Sequence, residues 1–156
     1  MTRHVTPHTM IITRDLKFAP SVVFKAWADP VAKANWFSGP PDWEAEPHRL
    51  DFRVGGEEYS AGGPKGGPMH IMRGVIHEIV PPETGEARII SSFTMHVDET
   101  ILTVSLATIE FVATATGTKM TLTEQLVFLD GCDHIADREH GTKAMLDMME
   151  AYLSRQ

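Results

Sequence analysis

Cysteine is nearly absent. Cys132 stands alone among 156 residues, so no internal disulfide can form and the chain suits a reducing compartment. Long apolar runs are missing as well: no window approaches the roughly 18 uninterrupted apolar residues of a membrane span. Met1–His8 is polar, with no apolar segment behind it, unlike a signal peptide. Positive charge is scarce. The 14 Lys and Arg against 21 Asp and Glu leave a net charge of −7 and no basic stripe, which argues against nucleic acid or an anionic membrane as partner. Familiar catalytic signatures are lacking too, with neither a G-x-S-x-G elbow nor a Walker loop. No helix follows Gly55-Gly56 to make it a phosphate cradle, so it reads as a tight turn. Cys132 has no Lys or Arg neighbour to favour its thiolate. With His134 and His140 it matches no zinc spacing, so neither a metal nor a cofactor is expected. These absences leave a soluble, cytoplasmic protein with one domain over residues 1–156 as the expectation.

What is present is organised around the last stretch. Thr142, Met145, Leu146, Met149, Tyr152 and Leu153 recur at helical offsets and share one face, while Lys143, Asp147, Glu150 and Ser154 form a polar one. The spacing predicts a helix from about Asp133, as N-cap, to Leu153, with Asp137 and Glu139 near its positive end. Nearly everything before it reads as strand: Thr9–Ala19, Trp43–Arg53, Glu57–Ala61, Met69–Val80, Ala87–Val97, Ile101–Thr114 and Thr118–Leu129. Met1–His8 is expected to fray or to form a short lead-in. Two short helices follow the first strand, one opened by Pro20-Ser21, the other capped by Asp29, started by Pro30 and running from Val31 to Phe37. Hairpin-length gaps make the sheet antiparallel. The class is α+β, and the long helix and the sheet must bury each other's apolar faces.

Several motifs then occur in a familiar order: Ala19-Pro20-Ser21-Val22-Val23-Phe24-Lys25-Ala26-Trp27, Asp29-Pro30-Val31 through Trp36-Phe37, and Asp51-Phe52-Arg53-Val54-Gly55-Gly56. Arg73-Gly74-Val75 leads to Glu78-Ile79-Val80-Pro81-Pro82-Glu83, followed by Thr118-Lys119-Met120-Thr121-Leu122-Thr123 and Gly141 through Tyr152-Leu153. In these the chain resembles the activator-of-Hsp90-ATPase-homologue-like branch of the START/Bet v 1 (SRPBCC) superfamily. The resemblance implies a helix-grip fold. A curved seven-stranded antiparallel sheet wraps the C-terminal helix, two short helices join strands one and two, and a cavity lies between sheet and helix. Relatives of this kind bind hydrophobic ligands, act as cyclases or assist chaperones, so the fold alone does not give the function. The family usually carries tryptophan after the helix glycine where this chain has Thr142, which implies a larger cavity or a shifted opening. Phe128–Asp133 and Arg138–Thr142 look like a subgroup hallmark to which the resemblance attaches no activity.

Glu124 falls among Met120, Leu122, Leu126 and Phe128 on one strand face. A carboxylate there is a candidate general acid/base, or else the partner of an arginine. His77, on a central strand, is the second acid/base candidate. Asp51 and Arg53 read as an ion pair beside the turn. Trp36, Phe37, Phe93, Phe111, Met120, Met145 and Met149 are expected to converge on the space under the helix. Ser91, Ser105 and Ala107 leave room there, and Thr142 adds to it. The leading expectation is a non-covalent site for a lipid-like or aromatic small molecule in a monomer or homodimer. A cyclase, dehydratase or hydrolase using Glu124 is the second reading, and a chaperone-interaction module the third.

Overall fold

Alternating apolar residues give strands that can bury only one face, and here a single sheet collects them. A computed structural model describes residues 3–156. In chain order it contains β1 (Val5–Leu16), α1 (Pro20–Ala28), α2 (Pro30–Ala34), β2 (Glu44–Ala45), β3 (Arg49–Leu50), β4 (Glu57–Gly63), β5 (His70–Val80), a 3-10 turn (Pro82–Thr84), β6 (Glu86–Val97), β7 (Thr100–Thr114), β8 (Gly117–Leu129) and α3 (Ile135–Ser154). The sheet order is β1-β8-β7-β6-β5-β4-β2, with β3 also pairing β4. Every pairing is antiparallel. This is the expected helix-grip arrangement, a curved sheet closed over by the C-terminal helix.

The sheet has eight strands rather than seven. The stretch expected as one strand, Trp43–Arg53, is broken at Glu46-Pro47-His48. Ala45 lies opposite Gly62, but Arg49 lies opposite Tyr59, so one extra residue bulges out where Pro47 has no N–H to give the ladder. The amino terminus also differs from expectation. Val5–His8 does not fray but pairs with Leu126–Leu129; β1 is an edge strand, where Pro7 is tolerated. The first two residues of the expected frayed segment lie outside the described residues. At the other end, α3 is capped at His134, one residue after the expected Asp133. Asp130 (φ 52°) and Gly131 (φ 83°) first turn the chain through left-handed conformations.

Asp29 caps α2 as expected, its carboxylate accepting from Val31 N at 2.9 Å and Ala32 N at 3.3 Å, a device worth about 1 kcal/mol. Gly55 adopts φ 82° in the turn before β4. A side chain at Gly56 would put Cβ 1.9 Å from the Asp51 carbonyl oxygen, so the turn requires that glycine.

The core lies where α1 and the second half of α3 meet the sheet. Val23, Trp27, Trp36, Phe111, Met120, Leu146, Met149 and Leu153 are buried together, each large side chain contributing roughly 1.5–3 kcal/mol. Trp36 stands edge-on to Trp27 at 4.8 Å and donates its Nε1–H to the Ala26 carbonyl at 3.0 Å. Arg14 of β1 ties the polar face of α3 to the sheet edge through Asp147 at 2.8 Å and Glu150 at 2.5 Å. The first half of α3 has no such filling beneath it, and there the sheet and helix part.

Candidate functional site

The space under the first half of α3 is a cavity of about 950 Å³, within the size range of small-molecule sites. Its floor is the inner face of β4–β8. Ser60, Gly74, Ser91 and Ala107 face it there, and side chains this small cannot reach α3. Phe37, Phe52, Met72, Phe93, Leu122, Phe128 and Met145 supply apolar walls. The opening is therefore a consequence of side-chain volume on one sheet face.

Seven of the sequence-predicted residues line this cavity: Phe37, Ser91, Phe93, Ala107, Glu124, Thr142 and Met145. Ser105 is buried just behind and donates its hydroxyl to Glu124 at 2.8 Å. Trp36, Phe111, Met120 and Met149 do not line it; they are sealed in the packed core. Phe111 and Met120 share the inner face with the cavity residues, but they pair with each other farther along β7 and β8. There α1 covers the sheet, with Phe24 edge-on to Phe111 at 5.7 Å. His77 is exposed at a bulge in β5, bonded through Nε2 to Ser92 Oγ at 2.7 Å; Met72, Gly74 and Ile76 take the inner face of the strand, so alternation leaves His77 on the outer one. Asp51 and Arg53 pair at 2.8 Å on the surface, and His140 is exposed. Among the described residues no group of three or more His, Cys, Asp or Glu side chains gathers as metal ligands.

Two carboxylates face the cavity, the buried Glu124 toward one edge of the sheet and the half-buried Glu58 toward the other. On the β8 side Glu124 is 4% exposed. Arg138, from the first turns of α3, donates Nη1 to it at 2.5 Å and Nη2 to Thr103 Oγ1 at 2.5 Å. The pairing follows from helical spacing, since steps of four back from Leu146 reach Thr142 and then Arg138 on the same inward stripe. Thr142 is bound into that helix as well, its hydroxyl donating to the Arg138 carbonyl at 2.9 Å.

On the β4 side Glu58 accepts from Lys33 Nζ at 2.7 Å and from His48 Nε2 at 2.7 Å. Lys33, itself only 7% exposed, lies over the Phe37 ring at 4.4 Å and the Trp27 ring at 5.2 Å, a favourable seat for a desolvated cation. Burial pushes the Glu58 carboxyl upward, but the Lys33 charge and the hydrogen bonds from His48 and Lys33 outweigh it and hold the group below its ordinary 4.5. This trio was not read from the sequence. Glu57 and Glu58 are adjacent, and only the register opposite Gly74 decides which one points inward. One row across the inner face joins the two sites, running Glu58, Gly74, Phe93 and Ser105.

Two nitrogens in this region have no partner among the described residues. Trp27 Nε1 and His48 Nδ1 are buried without a hydrogen bond, and both residues line the cavity. Each such group costs about 1–3 kcal/mol relative to a paired one.

Comparison with known proteins agrees with this architecture. The profile of the family described as Activator of Hsp90 ATPase homolog 1-like protein matches residues 17–154. A protein from Rhizobium leguminosarum has a solved structure that superposes with a TM-score of 0.93, at 39% identity over all of both chains. One from Rhizobium loti gives 0.85 at 34% identity, over 96% of this chain and 99% of its own. The solution structure of a protein from Aeromonas hydrophila described as similar to the same family gives 0.68 at 22% identity, over 95% and 93%, a likeness of fold alone. No curated protein matches the chain significantly.

Proposed function

The chain belongs to the Activator of Hsp90 ATPase homolog 1-like family, and from that premise we propose that it binds a hydrophobic or amphipathic small molecule in the cavity between the sheet and α3. The observation that carries this is the cavity itself, about 950 Å³ with largely apolar walls. Such a volume under a helix is costly to keep unless something apolar occupies it, because its lining forgoes packing contacts. Small side chains on the floor and flexible Met72 and Met145 at the walls suit a guest of variable shape. The buried charges do not oppose this, since each carboxylate carries its own cation.

Support for the acid/base reading on Glu124 is slight. Arg138 and Ser105 both donate to the same oxygen, Oε2, so the side chain is tied down as an anchor between helix and sheet. The chaperone-module reading draws nothing from the cavity. No helix among the described residues is long and apolar enough to cross a membrane, so the guest is expected to arrive from solution. A thermal-shift panel of aromatic, polyketide and fatty-acyl compounds tests the proposal. A ligand at 100 times its Kd stabilises the native state by about 2.7 kcal/mol, or roughly 5–10 °C for a chain of this size. No shift from any class at saturation contradicts it.

A further inference from the structure

The carboxyl group of Glu124 is only half used. Ser105 and Arg138 both donate to Oε2, and Oε1 takes no hydrogen bond from the described residues. Oε1 is not sealed inside the protein either. The residue as a whole is buried, and the open space it borders is the cavity. An unpaired oxygen on a buried side chain, open to a largely apolar cavity, is where a polar group of the guest would be held.

The strand register places a seat beside this oxygen. Ser91, Ala107 and Glu124 lie opposite one another on β6, β7 and β8, and all three line the cavity. Ala107 offers only a methyl group there, so a gap opens at the foot of Glu124. Phe93 and Leu122, each two residues along a flanking strand, border that gap and also line the cavity. Apolar sides around a methyl floor suit a flat ring.

We infer that the ligand is an aromatic ring system bearing a hydroxyl, with the ring seated on Ala107 and the hydroxyl paired with Glu124 Oε1, which makes Glu124 a specificity-determining residue. The inference rests on the cavity being a ligand site. A hydroxyl both donates and accepts, so it pairs with a carboxyl oxygen whether or not that oxygen carries a proton. An ammonium only donates and an ether only accepts, so each suits one ionisation state alone. A purely apolar ring would cover Oε1 without pairing it, which is costly for a buried polar atom. Arg138 and Ser105 keep Oε2 throughout, so binding leaves the tie between α3 and the sheet unbroken.

The test titrates naphthalene and 2-naphthol into the full chain. Hydrophobicity alone favours naphthalene, so tighter binding of 2-naphthol reads the hydroxyl. The expected preference is roughly five- to tenfold, the worth of one hydrogen bond. Glu124→Leu combined with Arg138→Met replaces the whole pair and strands no charge; it should abolish the preference while naphthalene still binds. Glu124→Gln keeps a polar atom facing the cavity and should retain the preference. Ala107→Leu fills the seat and should weaken both probes by about tenfold or more; it also serves should the double variant fail to fold. Equal or tighter binding of naphthalene to the native chain overturns the inference while leaving the cavity proposal intact. So does a preference undiminished in the double variant, its loss in Glu124→Gln, or affinities untouched by Ala107→Leu. Binding of neither probe overturns both.

Discussion

The two carboxylates of the cavity are held in opposite ways. Glu124 is a knot closed on α3: Arg138 bridges it to Thr103, and Ser105 donates to the same carboxylate oxygen, Oε2, while Oε1 takes no hydrogen bond from the described residues. Glu58 is an open one. Two cationic or neutral donors share it, one of them through an imidazole whose second nitrogen is unpaired. The closed knot joins α3 to the sheet and so fixes the distance between the cavity's roof and floor. The open knot joins α2 and the broken β2–β3 edge to β4, leaving polar capacity unused. A carboxylate beside a cavity therefore says little about function by itself; what separates these two is that the donors of Glu124 tie helix to sheet, while at Glu58 the imidazole of His48 keeps one nitrogen unpaired among the described residues.

Substitutions at the two ends should expose the difference. Arg138→Met leaves Glu124, with a side chain only 5% exposed, facing Ser105 alone; losing one partner of a buried pair should cost about 3–5 kcal/mol in urea unfolding. Lys33→Met should cost less, about 1–3 kcal/mol, because His48 still donates to Glu58. Equal costs would remove the distinction drawn between the ends.

Acid sharpens the contrast further. The folded-state pKa of Glu58 lies below its unfolded value of about 4.5, so its contribution is complete above that value and is lost as pH falls through the lower folded value. Stability measured from pH 6 downward should fall more steeply in the native chain than in Glu58→Gln once pH drops below 4.5. Parallel curves would mean the trio does not hold the carboxyl down. The smallest effect is expected at Gly141. It lies in α3 next to the closed knot, and a Cβ there would meet nothing within 4 Å. Gly141→Ala should stabilise the helix by up to about 1 kcal/mol, measurable as a small rise in Tm.

Much of this architecture was legible in the sequence, and the gaps have physical reasons. Period-two alternation placed Glu124, Phe93 and Ser105 on the inner face, and the α3 stripe placed Thr142 and Met145. Alternation assigns a face but not a position along the strand. Phe111 and Met120 were thus taken for cavity residues although α1 packs over them. His77 was taken for a pocket group from its place near the middle of the sheet, although Met72, Gly74 and Ile76 hold the inner face and leave it outside. Strand number failed at Pro47, where a single missing N–H splits an edge segment and leaves His48 in the gap. Glu58 and Lys33 needed a tertiary register that no local pattern encodes. Arg138 was within reach, one helical step of four beyond Thr142.

The central claim is that the volume under α3 belongs to a ligand. Thr142→Trp tests it most directly, with Leu146→Ala as the control for ordinary core loss at roughly 2–5 kcal/mol. Thr142 lines the cavity, so an indole there should fill ligand space. The account predicts that Thr142→Trp unfolds at or above the native Tm, while the 5–10 °C rise given by a saturating ligand disappears. An indole that costs about 1–3 kcal/mol, as overpacking does, or a ligand shift that survives the substitution, would contradict it.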